Sequence, residues 1–442
     1  MKWRSTFPIT FSFLVIISII FGCSQASTDN NKGKTDTRAS ETNEEVVEID
    51  FWYGWTGPGG EAMEELIAEF NESQDKIKVK GLSQSDYQKQ LTAITGGNPP
   101  DVASNYSKDV ASWGSRGAMT PLDDYIAESQ VDMDDFIPTA METSQYDGTT
   151  YAIPLAMHVY LLFYNKDIFA EAGLDGPPET ISELMEYADK LTVMNDDGRI
   201  ERLGFFPSVD PNFYTMTFTY GGRFWDADKK EVTPEDPGFK QSMQFAKDIW
   251  DKYGAENLDR FATSLGKVAS PQDPFYTGKY AMRMTGEYEP KRIEDNVPEL
   301  NYGIAPVPYD EEHPELKNSG FVGASVLYIP KGAKHPDEAW EFLSWLTDKD
   351  QMSRFDAAIG NLPTRMSALD HPAFDDVPGF DIFLEYSKSP NLQSMPSLPF
   401  MNEYMAEINK QYDAIMRKKV TLDEGTKRIK EKIQPLVEKT ME

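Results

Sequence analysis

Apolar and aromatic residues follow one another along residues 154–164, and His158 is the only residue there with a readily ionised side chain. Such residues at successive positions predict a strand that is buried on both faces, as inside an α/β sheet. Asn165, Lys166 and Asp167 come next and can cap a helix predicted to begin near Ile168. The same pattern is also typical of a core strand with no further role, so by itself it leaves the function open.

Upstream of this stretch, strand-like and helix-like patterns alternate. One helix carries four apolar residues at helical spacing: Met63, Leu66, Ile67 and Phe70. The predicted elements are strands over 46–52 and 77–82, a third strand entered over 99–103, and helices over 61–71 and 86–94. This order predicts a parallel sheet with right-handed crossovers.

Downstream, the patterns predict more helices than strands. The predicted helices lie near 181–192 and 237–253 and over the tail, 401–439, and the predicted strands cover 280–286 and 320–330. Between the first two helices, residues 205–225 are aromatic and loop-like. Gly320 and Gly323 interrupt the second strand, which suits a place where the backbone flexes or approaches a ligand.

Length and charge narrow the class of protein. A chain of 442 residues is too long for a single core, so two lobes are expected. The chain has 43 Lys and Arg against 73 Asp and Glu, a net charge of −30, which disfavours binding to nucleic acid or to an anionic membrane surface. An acidic surface also keeps secreted proteins soluble, so the charge does not identify a function.

The first residues predict export. Lys2 and Arg4 precede an apolar run over 11–21, shorter than the about 20 residues of a membrane-spanning helix, so residues 1–22 are predicted to be a signal peptide. The run ends at Gly22 and at the single cysteine, Cys23, which resembles a bacterial lipobox and predicts lipidation of Cys23. Residues 23–45 are polar and are predicted to form a flexible tether.

Residues 164–192 resemble a known family. Tyr164-Asn165-Lys166-Asp167 is followed by Ala172-Gly173-Leu174, by Pro177-Pro178 and by Thr180-Ile181-Ser182-Glu183-Leu184. This pattern resembles the extracellular solute-binding proteins of ABC importers, in the maltose-binding-protein-like family that carries sugars and oligosaccharides. The resemblance extends from Val47 to the end of the chain, and one departure is Leu161, where the family usually has a small residue.

The resemblance implies a fold and a domain organisation. The expected fold is α/β, two-lobed and periplasmic-binding-protein-like (a clam-shell), and each lobe is a mainly parallel sheet flanked by helices. Lobe 1 is expected to comprise residues 46–155 plus 320–362, and lobe 2 residues 156–319 plus 363–442. The chain would then cross between the lobes at 154–158, 320–325 and 361–365.

The resemblance also implies a function. The protein is expected to be a monomeric substrate-binding lipoprotein on the extracellular face of the bacterial cell membrane. It would capture an extracellular carbohydrate, expected to be an oligosaccharide, between the two lobes and deliver it to ABC permease subunits. The aromatic and acidic candidate site groups favour a neutral carbohydrate over a phosphate. No cofactor, metal, nucleic-acid partner or catalytic activity is expected. A receptor for a cationic ligand such as a polyamine, and a surface-anchored glycoside hydrolase, remain as alternatives.

The first candidate ligand-binding residues follow the end of the first predicted strand. Ligands of open α/β sheets bind beyond the carboxyl ends of strands, where Gly54, Trp55 and Thr56 are found. Trp55 offers an apolar face for a sugar ring and an N–H for a hydroxyl, although core packing is the alternative. Glu61, in the first turn of the next helix, could accept sugar hydroxyls or interact with the helix dipole.

The resemblance and the glycine pattern add further candidates. On the first half of the chain they are Ser104 and Asn105, in the loop after Asp101, and His158 at the first crossing. On the second half they are Asn212 and Trp225, in the aromatic segment, and Glu287, Tyr288 and Gly323. Core packing remains the alternative for His158 and for Trp225. Tyr288 stands where the family often has a stacking Trp, which predicts a smaller stacking face.

Known catalytic and metal-binding motifs are absent from the sequence. It contains no Walker loop, no Gly-x-Ser-x-Gly and no His-Glu-x-x-His. The four histidines show no spacing typical of metal ligands. What the sequence predicts is therefore a binding cleft.

Overall fold

The computed structural model of the protein describes residues 46–440. The predicted signal peptide, Cys23 and the tether lie outside the described residues. The strands are β1 (Val47–Tyr53), β2 (Ile77–Ser83), β3 (Val102–Tyr106), β4 (Gln145–Tyr146), β5 (Thr149–Thr150), β6 (Ile153–Asn165), β7 (Val193–Met194), β8 (Ile200–Phe205), β9 (Trp225–Asp226), β10 (Glu231–Val232), β11 (Tyr280–Gly286), β12 (Tyr302–Ala305), β13 (Gly320–Tyr328), β14 (Leu362–Pro363) and β15 (Leu392–Ser394).

Sixteen α-helices occur within the described residues. They are α1 (Pro58–Ser73), α2 (Tyr87–Thr95), α3 (Val110–Ser115), α4 (Asp123–Glu128), α5 (Pro138–Glu142), α6 (Lys166–Glu171), α7 (Ile181–Leu191), α8 (Tyr214–Thr219), α9 (Pro237–Tyr253), α10 (Ala255–Thr263), α11 (Glu289–Asn296), α12 (Pro336–Leu346), α13 (Lys349–Ile359), α14 (Asp381–Tyr386), α15 (Met401–Met416) and α16 (Leu422–Thr440). None of the helices between residues 46 and 440 combines the length and apolarity needed to cross a membrane.

The first three strands form the predicted parallel unit. β1 pairs in parallel with β2 on one side and with β3 on the other. Helix α1 begins at Pro58 and buries the four apolar residues that its sequence pattern predicted: Met63, Leu66, Ile67 and Phe70. These side chains pack against the buried side chains of β1 and of α12 in one hydrophobic cluster.

Strand β6 lies in the middle of the main sheet and connects its two halves. The strand order is β2-β1-β3-β13-β6-β11-β8-β7. The first half of β6 pairs with β13 and β14, and the second half pairs with β11 and β12. The chain ends the strand as the sequence predicts, because the Asn165 side chain accepts hydrogen bonds from the backbone N–H groups of Asp167 and Ile168 and caps α6.

The sheet is mixed rather than mainly parallel, which corrects part of the sequence-based expectation. β8 and β11 are parallel, like β1 to β3, but β6 and β13 run antiparallel to each other and to most of their other neighbours. The reason is the path that the chain takes through the sheet. β6 leads the chain from the β3 side of the sheet to the β11 side, and β13 brings it back to β3.

The three predicted crossings lie side by side. Met157 of β6 pairs with Ala324 of β13 and also with Leu362 of β14. Arg365, just beyond β14, forms an ion pair, with its guanidinium 3.3 Å from the Asp135 carboxylate. The exact lobe boundaries stay predictions.

The region predicted to be loop-like, residues 205–225, contains helix α8 at its centre. An irregular turn over Val209–Phe213, in which Asp210 has non-helical backbone angles, leads directly into α8. Every residue of α8 is buried. A helix that is buried all round shows no amphipathic period, so its sequence gives no helical signal. The predicted helical tail is two helices, α15 and α16, because the chain turns between them at Lys418, whose φ is 57°.

Candidate functional site

A cavity of about 560 Å³ opens beside the crossing strands. Its central lining comes from the strands themselves and from the turn before β14: His158, Gly323, Ser325 and Asn361. The surrounding lining is mostly aromatic, apolar or charged, and includes Trp55, Thr56, Tyr106, Lys108, Tyr160, Asp210, Tyr288, Lys291, Arg292, Asp295, Phe321, Met395, Leu398, Met401 and Met405.

Five of the residues predicted from the sequence meet at this cavity: Trp55, Thr56, His158, Tyr288 and Gly323. They come from positions 55 to 323 of the chain, so the fold brings distant segments together. Trp55 combines the two environments considered from its sequence, a position at the cavity and packing in the core. It is half-buried, and its ring packs almost perpendicular to Phe355 at 4.9 Å between centroids, while it also lines the cavity.

His158 is held in place through both ring nitrogens. Its Nδ1 lies 2.7 Å from Oε1 of Glu287, and its Nε2 lies 3.0 Å from the Ser325 hydroxyl. The other oxygen of Glu287 accepts the backbone N–H of Val159 at 3.1 Å. Glu287 is completely buried and does not line the cavity. The structure therefore places Glu287 behind His158, where it fixes the imidazole and the backbone of β6.

Three other predicted residues, Gly54, Ser104 and Asn105, lie next to the cavity, and Ser104 and Asn105 belong to β3 rather than to the predicted loop. The buried hydroxyl of Ser104 accepts the backbone N–H of Gly54 at 2.9 Å, which ties the end of β1 to β3. Asn105 is buried, and its side-chain oxygen accepts the backbone N–H of Tyr106 at 2.7 Å. None of the three lines the cavity.

The remaining predicted residues also lie outside the cavity lining. Asn212 is buried and donates to the carbonyl of Phe206 at 2.9 Å. Trp225 stands in the two-residue strand β9 and packs against a hydrophobic cluster. Glu61 is exposed in the first turn of α1. Contact of any of these residues with a ligand stays a prediction.

Sequence reasoning missed several lining residues. Tyr106 ends β3, is 45% exposed and follows directly on the two residues that were predicted there. Tyr160 and Phe321 stack nearly parallel, with an interplanar angle of 3° and 5.7 Å between centroids. The alternation of side chains along β6 relative to His158 could have indicated Tyr160. Met401 and Met405 of α15 could not be predicted as cavity residues, because helical periodicity shows which face of a helix is buried but not whether that face lines a cavity.

The charged groups of the cavity are mostly paired. Lys108 lies 3.1 Å from the Asp109 carboxylate, which also accepts a hydrogen bond from Asn402 at 2.6 Å. Lys291 lies 2.8 Å from Glu294 and 3.2 Å from Asp295. Desolvation raises the pKa of the Asp210 carboxyl, and the positive charge of Lys108 opposes this shift.

Within residues 46–440, no three His, Cys, Asp or Glu side chains stand together in a way that could hold a metal ion. What the cavity offers instead is flat aromatic and apolar surface, with hydrogen-bonding groups placed between. Such a combination suits reversible binding of a ligand with apolar faces and polar edges.

A fully buried carboxyl group lies near the cavity. Asp356, on α13, is 0% exposed, and neither of its carboxyl oxygens has a hydrogen-bond partner within the described residues. Burial, together with the nearby charge of Glu287, raises the pKa of Asp356 well above 3.8. The carboxyl is therefore expected to stay protonated in the folded protein at pH values where it ionises in the unfolded chain.

This environment predicts a pH-dependent effect of Asp356→Asn. Because the folded-state pKa is raised, the favourable contribution of the carboxyl is complete below its unfolded pKa of about 3.8 and is lost as pH rises toward the folded-state pKa. Relative to wild type, the variant should therefore gain stability between pH 4 and pH 7. Urea unfolding across that range measures it, and a difference that does not change with pH would contradict the prediction.

The family model for bacterial extracellular solute-binding proteins matches residues 53–353, and the chain belongs to this family. A putative binding protein of Brucella abortus is 27% identical over 277 residues, which cover 62% of this chain and 65% of that relative. The maltotriose-binding protein of Pyrococcus abyssi is 23% identical, over 74% of this chain and 67% of that protein.

A solved structure described as CpMnBP1 with mannobiose bound has the same fold. It superposes with a TM-score of 0.78 at 28% identity, covering 87% of this chain and 99% of that one. The similarity confirms the predicted two-lobed, periplasmic-binding-protein-like fold and the family that the sequence motifs indicated.

Proposed function

We propose that the protein is the substrate-binding component of an ABC importer, which captures an extracellular carbohydrate, an oligosaccharide, and delivers it to a membrane permease. The observation that carries the proposal is the cavity. Its volume of about 560 Å³ lies in the range of roughly 300–1,000 Å³ that is usual for small-molecule sites. Its aromatic surfaces, Trp55, Tyr106 and the stacked pair Tyr160 and Phe321, can face the C–H surfaces of sugar rings.

Two relatives support this ligand class. The Pyrococcus abyssi relative is named for maltotriose, and the CpMnBP1 structure holds mannobiose. Both ligands are short oligosaccharides, and this cavity is lined from several elements far apart in the sequence, so a ligand of more than one ring has surfaces to contact on different sides.

The adjacent strands β6, β13 and β14 suggest how capture works. They are the segments where the lobes are proposed to join, and the cavity lies beside them. A ligand that contacts both lobes binds the closed form more tightly than the open form, and it shifts the population toward closure by that difference in affinity. The closed form would then dock on the permease, and the protein itself would carry out no chemical reaction.

A binding screen tests the function. Calorimetry with mono- and oligosaccharides, including mannobiose and maltotriose, should give micromolar dissociation constants for at least one oligosaccharide, about −8 kcal/mol. Small-angle scattering should show a smaller radius of gyration with that ligand. Binding of spermidine but of no saccharide, with strong salt dependence, would favour the cationic-ligand alternative. Turnover of the oligosaccharides would favour the hydrolase.

The proposed location is the outer face of the cell membrane, through a lipid on Cys23. The support is the sequence Gly22-Cys23 at the end of an apolar segment. Cys23→Ser should move the protein from the membrane fraction to the soluble fraction, because acyl chains provide the proposed attachment. Fractionation followed by immunoblotting measures this. Ser27→Ala in the tether is the control, and equal membrane retention of both variants would show that Cys23 is not the anchor.

A further inference from the structure

Arg292 is a positively charged residue of the cavity lining. It lies on α11 and lines the cavity together with Lys108 and Lys291. Both lysines have carboxylate partners, at 3.1 Å and 2.8 Å respectively. Among residues 46–440, the Arg292 guanidinium forms no ion pair and no hydrogen bond, and it packs over an aromatic ring.

That ring is Tyr288, one helical turn earlier. The Arg292 Cζ atom lies 4.1 Å from the centre of the Tyr288 ring, as in a close cation–π contact. The ring in turn lies against Gly286, where an added Cβ would come within 2.5 Å of the Tyr288 Cε1 atom. Tyr288 is therefore supported by glycine backbone and covered by the guanidinium, which limits the ring surface left for a sugar.

The contact with the Tyr288 ring leaves the N–H donors of the Arg292 guanidinium free to bind a ligand. Its five N–H groups radiate in the plane of the group, so a contact through the flat face blocks none of them. The same plane matches the two oxygens of a carboxylate or phosphate in a bidentate hydrogen-bonded pair. A neutral hydroxyl can accept one such bond but leaves the charge of Arg292 without a partner in a partly desolvated site.

The other charges of the protein confine the preference for an anionic group to the surroundings of Arg292. The chain carries a net charge of −30, so its overall field does not attract anions. The Asp295 carboxylate at the cavity is paired with Lys291 at 3.2 Å. The carboxyl of Asp210, which forms no ion pair within residues 46–440, also lines the cavity and would repel an anionic group placed beside it. An anion is therefore accommodated at Arg292 and not throughout the cavity.

We propose that Arg292, held on Tyr288, determines specificity by binding an oxyanion of the saccharide, either a carboxylate or a phosphate. The ligand is then an acidic saccharide rather than the neutral one expected from the sequence. Tyr288 serves mainly to hold Arg292 and only in part as a sugar-stacking surface. This inference rests on the proposed carbohydrate-binding function.

Matched pairs of ligands test the inference by calorimetry on the full chain. One pair is digalacturonate and digalactose, and the other is maltose 6-phosphate and maltose, so the pairs separate a carboxylate source from a phosphate source. Wild type should bind the charged member of at least one pair about tenfold or more tightly than its neutral partner. Arg292→Gln should remove about tenfold or more of the affinity for that charged ligand, as expected for a lost charged hydrogen-bonded pair.

Further variants separate a role in recognition from one in structure. Arg292→Lys keeps the charge but not the bidentate geometry, so it should recover only part of the lost affinity. Arg260→Gln removes a paired positive charge from α10, outside the cavity lining, and it should change binding of either ligand less than threefold. Arg292→Gln should change affinity for the neutral partner less than twofold.

The outcomes are distinct. Neutral ligands that bind at least as tightly as charged ones, or an Arg292→Gln variant that weakens both equally, would overturn the anionic specificity and leave the carbohydrate function standing. If wild type binds none of the saccharides in the pairs or in the wider screen, the proposed function itself fails.

Discussion

Trp55→Ala should weaken binding of the saccharide ligand by about 2 kcal/mol or more, on the order of thirty-fold, as removal of an aromatic anchor often does. The indole lines the cavity just beyond the end of β1 and offers a flat apolar surface there. Alanine would remove that surface and leave the ligand contact open to water. A titration of wild type and variant with the same saccharide measures the effect.

The same substitution should have a moderate effect on ligand-free stability. Trp55 is only half-buried but packs on Phe355 at 4.9 Å, so the loss should be real yet below the ~3–5 kcal/mol of a fully buried Trp. Trp345→Ala is the matched control: this half-buried tryptophan packs on Phe70 at 5.2 Å, away from the cavity. The control should lose stability but keep its affinity. Unchanged affinity in Trp55→Ala together with a large loss of stability would assign Trp55 to the core alone.

Glu287→Leu should lower the free energy of unfolding by about 3 kcal/mol, because it removes one partner of a buried hydrogen-bonded pair. The leucine leaves the Nδ1 atom of His158 and the backbone N–H of Val159 without their acceptor. Both groups belong to β6, which pairs with strands on both sides of the main sheet. Urea unfolding at neutral pH measures the change.

Glu287→Gln provides the comparison for this buried pair. Its amide oxygen can still accept from Val159, so the loss should be smaller than that of the leucine variant. Both variants also remove the charge that helps to raise the pKa of Asp356, which offsets part of the loss. If the leucine variant is as stable as wild type, the network around His158 does not contribute measurably to stability.

The sequence predicted individual elements better than their arrangement. Helix α9 was predicted with its observed bounds, Pro237–Tyr253, and the cap at Asn165 was confirmed, because helix periods and caps are local signals. The direction of β6 relative to β13 was not predicted by the parallel pattern, since periodicity shows which faces are buried but not which strand is the neighbour. Helix α8 was missed because it is buried on all sides.

The residues of the cavity were predicted from the sequence with the same limitation. Trp55 and Tyr288 could be named because each stands near glycines at a strand end, and the structure places both at the cavity. Arg292 was missed although it stands four residues after Tyr288, the spacing that brings two helical side chains together. Met401 lies far along the chain, and only the packing of α15 brings it to the cavity. Such residues depend on tertiary contacts that the sequence pattern does not encode.

The position of β13 between β3 and β6 has a consequence for the chain as it is made and exported. Before residue 320 emerges, β3 lacks its neighbour on one side, and the first half of β6 lacks β13. Unpaired strand edges are places where chains pair with one another and aggregate. A chain truncated before Gly320 should therefore be insoluble or degraded, while loss of the terminal helix α16 should leave the sheet complete. Protection of the nascent chain is needed until about three quarters of it has been synthesised.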